Sequence, residues 1–185
     1  DGRAVSWGDQ PCGGDSTSVS QQLYDIKDVR ASSGAFAAIR SDGSVVAWGE
    51  RGSGGDCSPV QHKLKNVVDI CPACHAFAAL REDGQVVTWG DKQFGGDSAA
   101  VSADLAAVRE LRSSAFAFAA ILADGRVVAW GDKRYGGDAS EVQEQLREVR
   151  DVRGSEGAFA AIRMDGRVIT WGGADSFDSR AVQLR

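Results

Sequence analysis

Among the 185 residues there are one Met, two His, two Tyr and three Pro. Neither histidine is flanked by an evident nucleophile. No Gly-x-Ser-x-Gly elbow, P-loop or dinucleotide fingerprint is present, so the chain is not expected to be an enzyme. Long apolar runs are missing too. The longest, Ala115 to Ala123, falls well short of the roughly 20 residues that a spanning helix needs. No membrane span is expected, which leaves attachment to a membrane-embedded complex through protein contacts. Positive charge is not in excess: 21 Lys and Arg face 26 Asp and Glu, a net charge of −5. A phosphate-neutralising surface is therefore not expected, nor is a nucleic-acid partner. No leader with a charged start and an apolar core is visible. The chain opens on Asp1-Gly2 without an initiator Met, which reads as a processed or trimmed chain.

Glycine is plentiful, at 23 residues, and implies many tight turns. The dominant feature is a repeat. Trp7, Trp48, Trp89, Trp130 and Trp171 stand 41 residues apart, and Phe36, Phe77, Phe118 and Phe159 keep the same step. So do Asp15, Asp56, Asp97 and Asp138, each after Gly-Gly, and the Asp-Gly pairs at Asp42, Asp83, Asp124 and Asp165. The chain divides into a partial unit 1–8, full units 9–49, 50–90, 91–131 and 132–172, and an atypical tail 173–185, where Phe177-Asp178-Ser179 replaces Gly-Gly-Asp.

Each unit reads as a hairpin. Ala35 to Arg40 is a short apolar run, Asp42-Gly43 offers a tight turn, and Val45-Val46-Ala47-Trp48 is β-branched and aromatic. The second strand is apolar on both faces, as expected of a strand between two layers. Paired alanines such as Ala37-Ala38 allow close sheet approach, and the nine Trp and Phe residues form the core. Val19 and Leu23, with their copies, are four apart and predict one or two helical turns, capped by Asp15 and its equivalents. A third strand follows, Asp28 to Ser32. The whole is an all-β array of about four and a half propeller-type blades with short helical linkers. The chain opens on a second strand, Arg3 to Trp7, and closes on another, Arg167 to Trp171. That predicts an open arc, or a fragment of a longer array, in place of a closed ring.

Several residues invite chemistry. Cys71-Pro72-Ala73-Cys74-His75 matches the c-type haem attachment pattern, with two thiols for the vinyl groups and His75 for iron. A thiol redox role for Cys71 and Cys74 is a second reading, and a bond between them across Pro72 or two small buried thiols a third. Cys12 and Cys57 lie in neighbouring linkers, and four cysteines allow three pairings. One Cys-x-x-Cys falls short of a zinc site. Helix capping accounts for the Gly-Gly-Asp carboxylates without calcium. No cofactor is expected. Arg30, Arg112 and Arg153, with Arg40, Arg81 and Arg163, read as a solvated rim or as a basic stripe for an acidic partner.

The string Phe-Ala-Ala-Ile/Leu, two residues, Asp-Gly-x-Val-Val-x-Trp-Gly resembles the regulator of chromosome condensation repeat, most of all at Cys71 to Leu80, where His75 stands where the family often has His. The resemblance covers the whole chain. It implies β-propeller blades and binding to other proteins. The units are shorter than the family's usual blade, Gly-Gly-Asp replaces its Leu-Gly turn, and four units are fewer than its seven blades. No wedge for nucleotide exchange on small GTPases is present. The WD repeat is the second resemblance, on period alone. The compact wording is similar to repeats of algal proteins, which implies a plastid setting.

The expected function is a non-catalytic scaffold that binds proteins. The residues that vary within the fixed linkers, Arg51, Lys92, Phe94, Lys133 and Tyr135, are the expected contacts. The alternatives are an accessory subunit of a large, photosynthetic assembly, and a small haem or thiol redox protein using Cys71, Cys74 and His75.

Overall fold

The computed structural model describes residues 2–173. The atypical tail, with Phe177, Asp178 and Ser179, lies outside the described residues. Twelve strands form four separate three-stranded antiparallel sheets, one in each full unit. The first blade holds β1 (Ile26–Ala31), β2 (Ala35–Arg40) and β3 (Val45–Gly49). The second holds β4 (Val67–Pro72), β5 (Ala76–Arg81) and β6 (Val86–Gly90). The third holds β7 (Val108–Ser113), β8 (Ala117–Leu122) and β9 (Val127–Gly131). The fourth holds β10 (Val149–Gly154), β11 (Ala158–Arg163) and β12 (Val168–Gly172). Strand order within each blade is the chain order, and among the described residues no sheet closes on itself.

The hairpin turn is tight for a local reason. Gly43 takes φ +75° and its N–H donates to the Arg40 carbonyl, while the Asp42 carboxylate accepts the N–H of Ser44 at 2.9 Å. Across the hairpin Phe36 pairs with Trp48, and the two rings stack at 5.3 Å. The other three blades repeat this stack at 5.2–5.4 Å. Such pairs add about 0.5–1.5 kcal/mol beyond their buried area.

Blades join face to face. Ala35, Ala37, Ile39, Val45 and Ala47 of the first blade share a buried cluster with Val67, Ile70, Phe77, Ala79, Val87 and Trp89 of the second. The next two junctions repeat the arrangement. The alanine methyls let the sheets approach, and the Phe-Trp stacks fill the space between them.

The Gly-Gly-Asp linker is shaped by that stack. Gly54 has φ +94°, and a Cβ there would lie 2.6 Å from the Phe77 ring. Its carbonyl accepts the indole N–H of Trp89 at 2.9 Å. Gly13, Gly95 and Gly136 receive Trp48, Trp130 and Trp171 in the same way, at 2.9–3.1 Å.

The linkers carry the expected short helical turns, and one expectation is corrected. The turns are of the 3₁₀ kind. Thr17–Gln22, Ser58–Lys63, Ala99–Val101 and Gln143–Gln145 are 3₁₀ segments of three to six residues. A turn this short is set by its entry: Asp15 accepts the N–H of Thr17, two residues on, and Asp56, Asp97 and Asp138 do the same at 2.9–3.0 Å. Leu23, Leu64, Leu105 and Leu146 close each linker against the core. The correction concerns Trp7. It is 85% exposed and stands outside the core, and Arg3 to Trp7 forms no strand. Among the described residues no strand pairs with it. Phe36 is likewise only half-buried, because no full blade covers its sheet.

Candidate functional site

The inner ends of the blades are tied by main-chain bonds. Ser33 N–H donates to the Cys74 carbonyl, Cys74 N–H to Ala115, and Ala115 N–H to Glu156, at 2.8–3.0 Å. Each step is one repeat. The residue after each of these is Gly34, His75, Phe116 or Gly157, at the turn between a blade's first and second strands. A second set of turns follows each third strand: Arg51–Ser53, Lys92–Phe94 and Lys133–Tyr135, all 3₁₀. These end in Ser53, Phe94 and Tyr135, and interleave with the first set.

The result is a row of four half-buried rings. His75 lies 5.4 Å from Phe94 and stacks on Phe116 at 5.8 Å. Phe94 meets Phe116 at 4.7 Å, and Phe116 meets Tyr135 edge-on at 4.6 Å. The Arg134 guanidinium sits 5.8 Å from the Tyr135 ring centre and is held by Asp132 at 2.7 Å. At the other end the row turns polar. The buried Ser53 hydroxyl donates to Glu50 Oε2 at 2.6 Å and lies 3.1 Å from His75 Nδ1. Its proton is directed to Glu50, so it accepts from the imidazole. This geometry holds the His75 ring in place.

Phe94 and Tyr135 are thus brought together, with Phe116 between them. Arg51 and Lys133 project to solvent but are each tied to the Gly-Gly-Asp carboxylate of their own linker, Arg51 to Asp56 at 3.3 Å and Lys133 to Asp138 at 3.2 Å. Lys92 is exposed beside Phe94. Those carboxylates serve two partners. The side-chain hydrogen bond from Ser58 holds Asp56 below the usual carboxylate range, and the backbone N–H of Ser140 does so for Asp138. Sequence reasoning passed over Phe116 and assigned His75 elsewhere. The available signal was the varied column Gly34, His75, Phe116, Gly157 inside a constant frame.

The cysteine motif does not fit haem. The His75 ring packs on two phenyl rings and its Nδ1 meets Ser53. The Cys74 backbone is used on both sides by neighbouring blades. All four cysteines are free thiols. Burial pushes the Cys71 thiol up to about 11, which leaves it protonated and unreactive at neutral pH. The basic stripe is also corrected. Arg30 is held by Asp28 and Asp69, Arg112 by Glu110 and Asp151, and Arg153 by Asp151. Arg40, Arg81 and Arg163 pair with Asp42, Asp83 and Asp165 at the hairpin turns. The six guanidiniums are neutralised by their own blades or the next and form no free cationic edge.

No family model matches the sequence, and no curated protein matches it either. Solved structures do. Yeast RCC1 (Prp20), solved with Kap60 bound, aligns with a TM-score of 0.59 at 21% identity, over 94% of this chain and 49% of that one. Prp20p from Saccharomyces cerevisiae, described with its binding to Gsp1p and histones, aligns with a TM-score of 0.56 at 21% identity, over 81% and 44%. Human WBSCR16 aligns with a TM-score of 0.54 at 18% identity, over 80% and 47%. The four sheets have the blade fold of the chromosome-condensation regulator propellers. The chain spans about half the length of each of these proteins. Among the described residues no helix is long and apolar enough to cross a membrane.

Proposed function

We propose that the protein is a non-catalytic scaffold that binds another protein through the row His75, Phe94, Phe116 and Tyr135, with Lys92 and Arg134 at its margin. One observation carries this reading. The rings occupy varied columns of a repeat whose Trp, Phe, Asp-Gly and Gly-Gly-Asp columns are fixed, and they meet in one half-buried row. Half-buried aromatics on rigid turns present large apolar area at little entropic cost, which is the character of an interaction hot spot. The proteins of like fold described as binding Gsp1p, histones or Kap60 support the general role.

The test is a double substitution, Phe116→Ser with Tyr135→Ser, in the tagged chain. Proteins retained from an extract of the source are identified by mass spectrometry. Circular dichroism checks that the blades remain. A partner retained by the parent chain and by a Met164→Gln control, exposed at a hairpin turn, but lost by the double variant, supports the row. Equal retention by all three would sink it.

A further inference from the structure

Three linkers join one described blade to the next, and two of them cap the outer edge of the preceding third strand with a glutamine. Gln61 donates its side-chain N–H to the Val45 carbonyl of β3, and Gln143 donates to the Val127 carbonyl of β9, each at 3.0 Å. The register shows what the same edge of β6 presents. Arg81 N–H bonds the Gln85 carbonyl, and Leu80 pairs with Val86 and Ala78 with Thr88. Bonded and non-bonded pairs alternate along an antiparallel hairpin, so the main-chain groups of Val86 and Thr88 point away from β5 to the open edge. The linker after β6 has Ser102 in the glutamine column, and its hydroxyl donates to the Ala99 carbonyl of its own turn at 2.9 Å. Among the described residues the Val86 carbonyl thus goes without the cap that Val45 and Val127 receive. The same linker is cut back twice more: Ala106 stands where Lys65 and Arg147 do, and Ala107 where Asn66 and Glu148 do. A groove of about 520 Å³ opens at these positions, with Val86, Ser98 and Leu105 also lining it. Val86 is only half-buried, whereas Val45 and Val127 are 1% and 0% exposed.

We propose that this groove is a docking site for a glutamine side chain of a partner protein. Three observations select this occupant. First, the array itself places a glutamine at the equivalent edge twice, and those two side chains show how the strand is met. Second, both ends of a primary carboxamide find a partner here. The Val86 carbonyl needs a donor, which an ionised carboxylate and an aliphatic side chain lack. The amide oxygen is provided for as well. At the first blade the Cys57 thiol donates to Gln61 Oε1 at 3.2 Å. Ser98 holds that column at the second blade and accepts the Thr88 hydroxyl at 3.3 Å, which leaves its own proton for an incoming oxygen. Third, the apolar Val86 and Leu105 beside these groups suit the two methylenes of a glutamine stem. The side chain comes from a protein and not from the free amino acid. Asp83, the one charged residue lining the groove, is already held by Arg81 at 2.9 Å, so no free charge is left for an ammonium or an α-carboxylate. The proposal is independent of the aromatic row, none of whose residues lines the groove.

The test is a titration of the isotope-labelled full chain, followed by its amide chemical shifts in NMR. The probe is N-acetylglutamine methylamide, a glutamine side chain on a blocked backbone. The comparison probes are the corresponding glutamate and alanine compounds and free glutamine. The blocked glutamine is expected to move the Val86, Ser98 and Ser102 amides saturably in the millimolar range, and the other three to leave them in place. Ser102→Gln supplies the cap from within the chain. It is expected to abolish the shifts while the circular dichroism spectrum stays unchanged. A parent chain without saturable shifts overturns the proposal. An equal response to the alanine or glutamate compound does so too, because the edge would then be pairing with any backbone. Tighter binding of free glutamine, or shifts that persist in folded Ser102→Gln, also overturns it. Should that variant fail to fold, the four probes on the parent chain decide.

Discussion

Trp130 and Trp7 occupy the same column of the repeat, yet one is 4% exposed and the other 85%. Trp130 has Phe118 across the hairpin, Gly95 against its indole nitrogen and another blade over its face. Trp7 has none of the strands that would supply these. The difference teaches that the repeat specifies geometry, while burial is supplied by the neighbour. A column of identical residues is a column of equal opportunity and not of equal energy.

The comparison can be broken most directly at the phenylalanines. Phe118→Ala is expected to cost about 3–5 kcal/mol, as for a fully enclosed ring, and Phe36→Ala no more than about half of that. Urea denaturation of both variants measures it, and equal losses would mean that the ends are as well packed as the centre. The glycines come next. Gly95→Ala places a Cβ 2.5 Å from the enclosed Phe118 ring at φ +92°. A loss of about 1–3 kcal/mol is expected. Gly13→Ala meets the half-buried Phe36 ring at 2.7 Å, which has room to swing, so its loss is smaller. Thermal melts of the two variants rank them. Third, Trp130→Phe strands the Gly95 carbonyl without its indole partner and is expected to cost about 1–3 kcal/mol, whereas Trp7→Phe changes the melting temperature little.

The smallest effect sharpens the comparison from the other side. Asp15 in the first linker and Asp138 in the last are both held below the usual carboxylate range, Asp15 chiefly by the Thr17 hydroxyl and Asp138 by the Ser140 N–H. A carboxyl depressed in the folded state stabilises it above its unfolded pKa of about 3.9, and that stability is lost as the pH falls through the folded value. Acidification below about pH 4 should therefore lower the melting temperature, and Asp15→Asn and Asp138→Asn should shallow that slope by similar small amounts. Turn chemistry is local, so here end and centre should agree. A large difference between the two variants would contradict this.

Much of this frame is legible in the order of residues. Asp-Gly between two apolar runs fixes the hairpin, because glycine alone takes the positive φ without strain. Tryptophan and phenylalanine meet because the hairpin register places them opposite one another. The linkers are less legible. Val19 and Leu23 predict the short helical turn that is present, but not that it is a 3₁₀ turn, which the Asp15 carboxylate sets by closing on the Thr17 N–H. The arginines mislead for a related reason. Their guanidiniums find acids on the next blade, as Arg30 finds Asp69, and a partner 39 residues away is invisible to local reading. The aromatic row was half-legible. Phe94 and Tyr135 stand out in turns rich in glycine, but Phe116 hides in an apolar run, and only the interleaving of two sets of turns shows that it lies between them.

The ladder from Ser33 through Cys74 and Ala115 to Glu156 is made by main-chain groups, which every residue except proline carries in full. Side chains on these columns can therefore be rewritten without loosening the array. Serine, cysteine, alanine and glutamate already share one position, and glycine, histidine and phenylalanine share the next. A string that spells a haem-binding motif can arise there as a by-product of that tolerance. The same freedom makes the inner turns a natural place to graft new recognition. A designer could exchange the residues at positions 34, 75, 116 and 157 as a cassette while the blades beneath stay as they are.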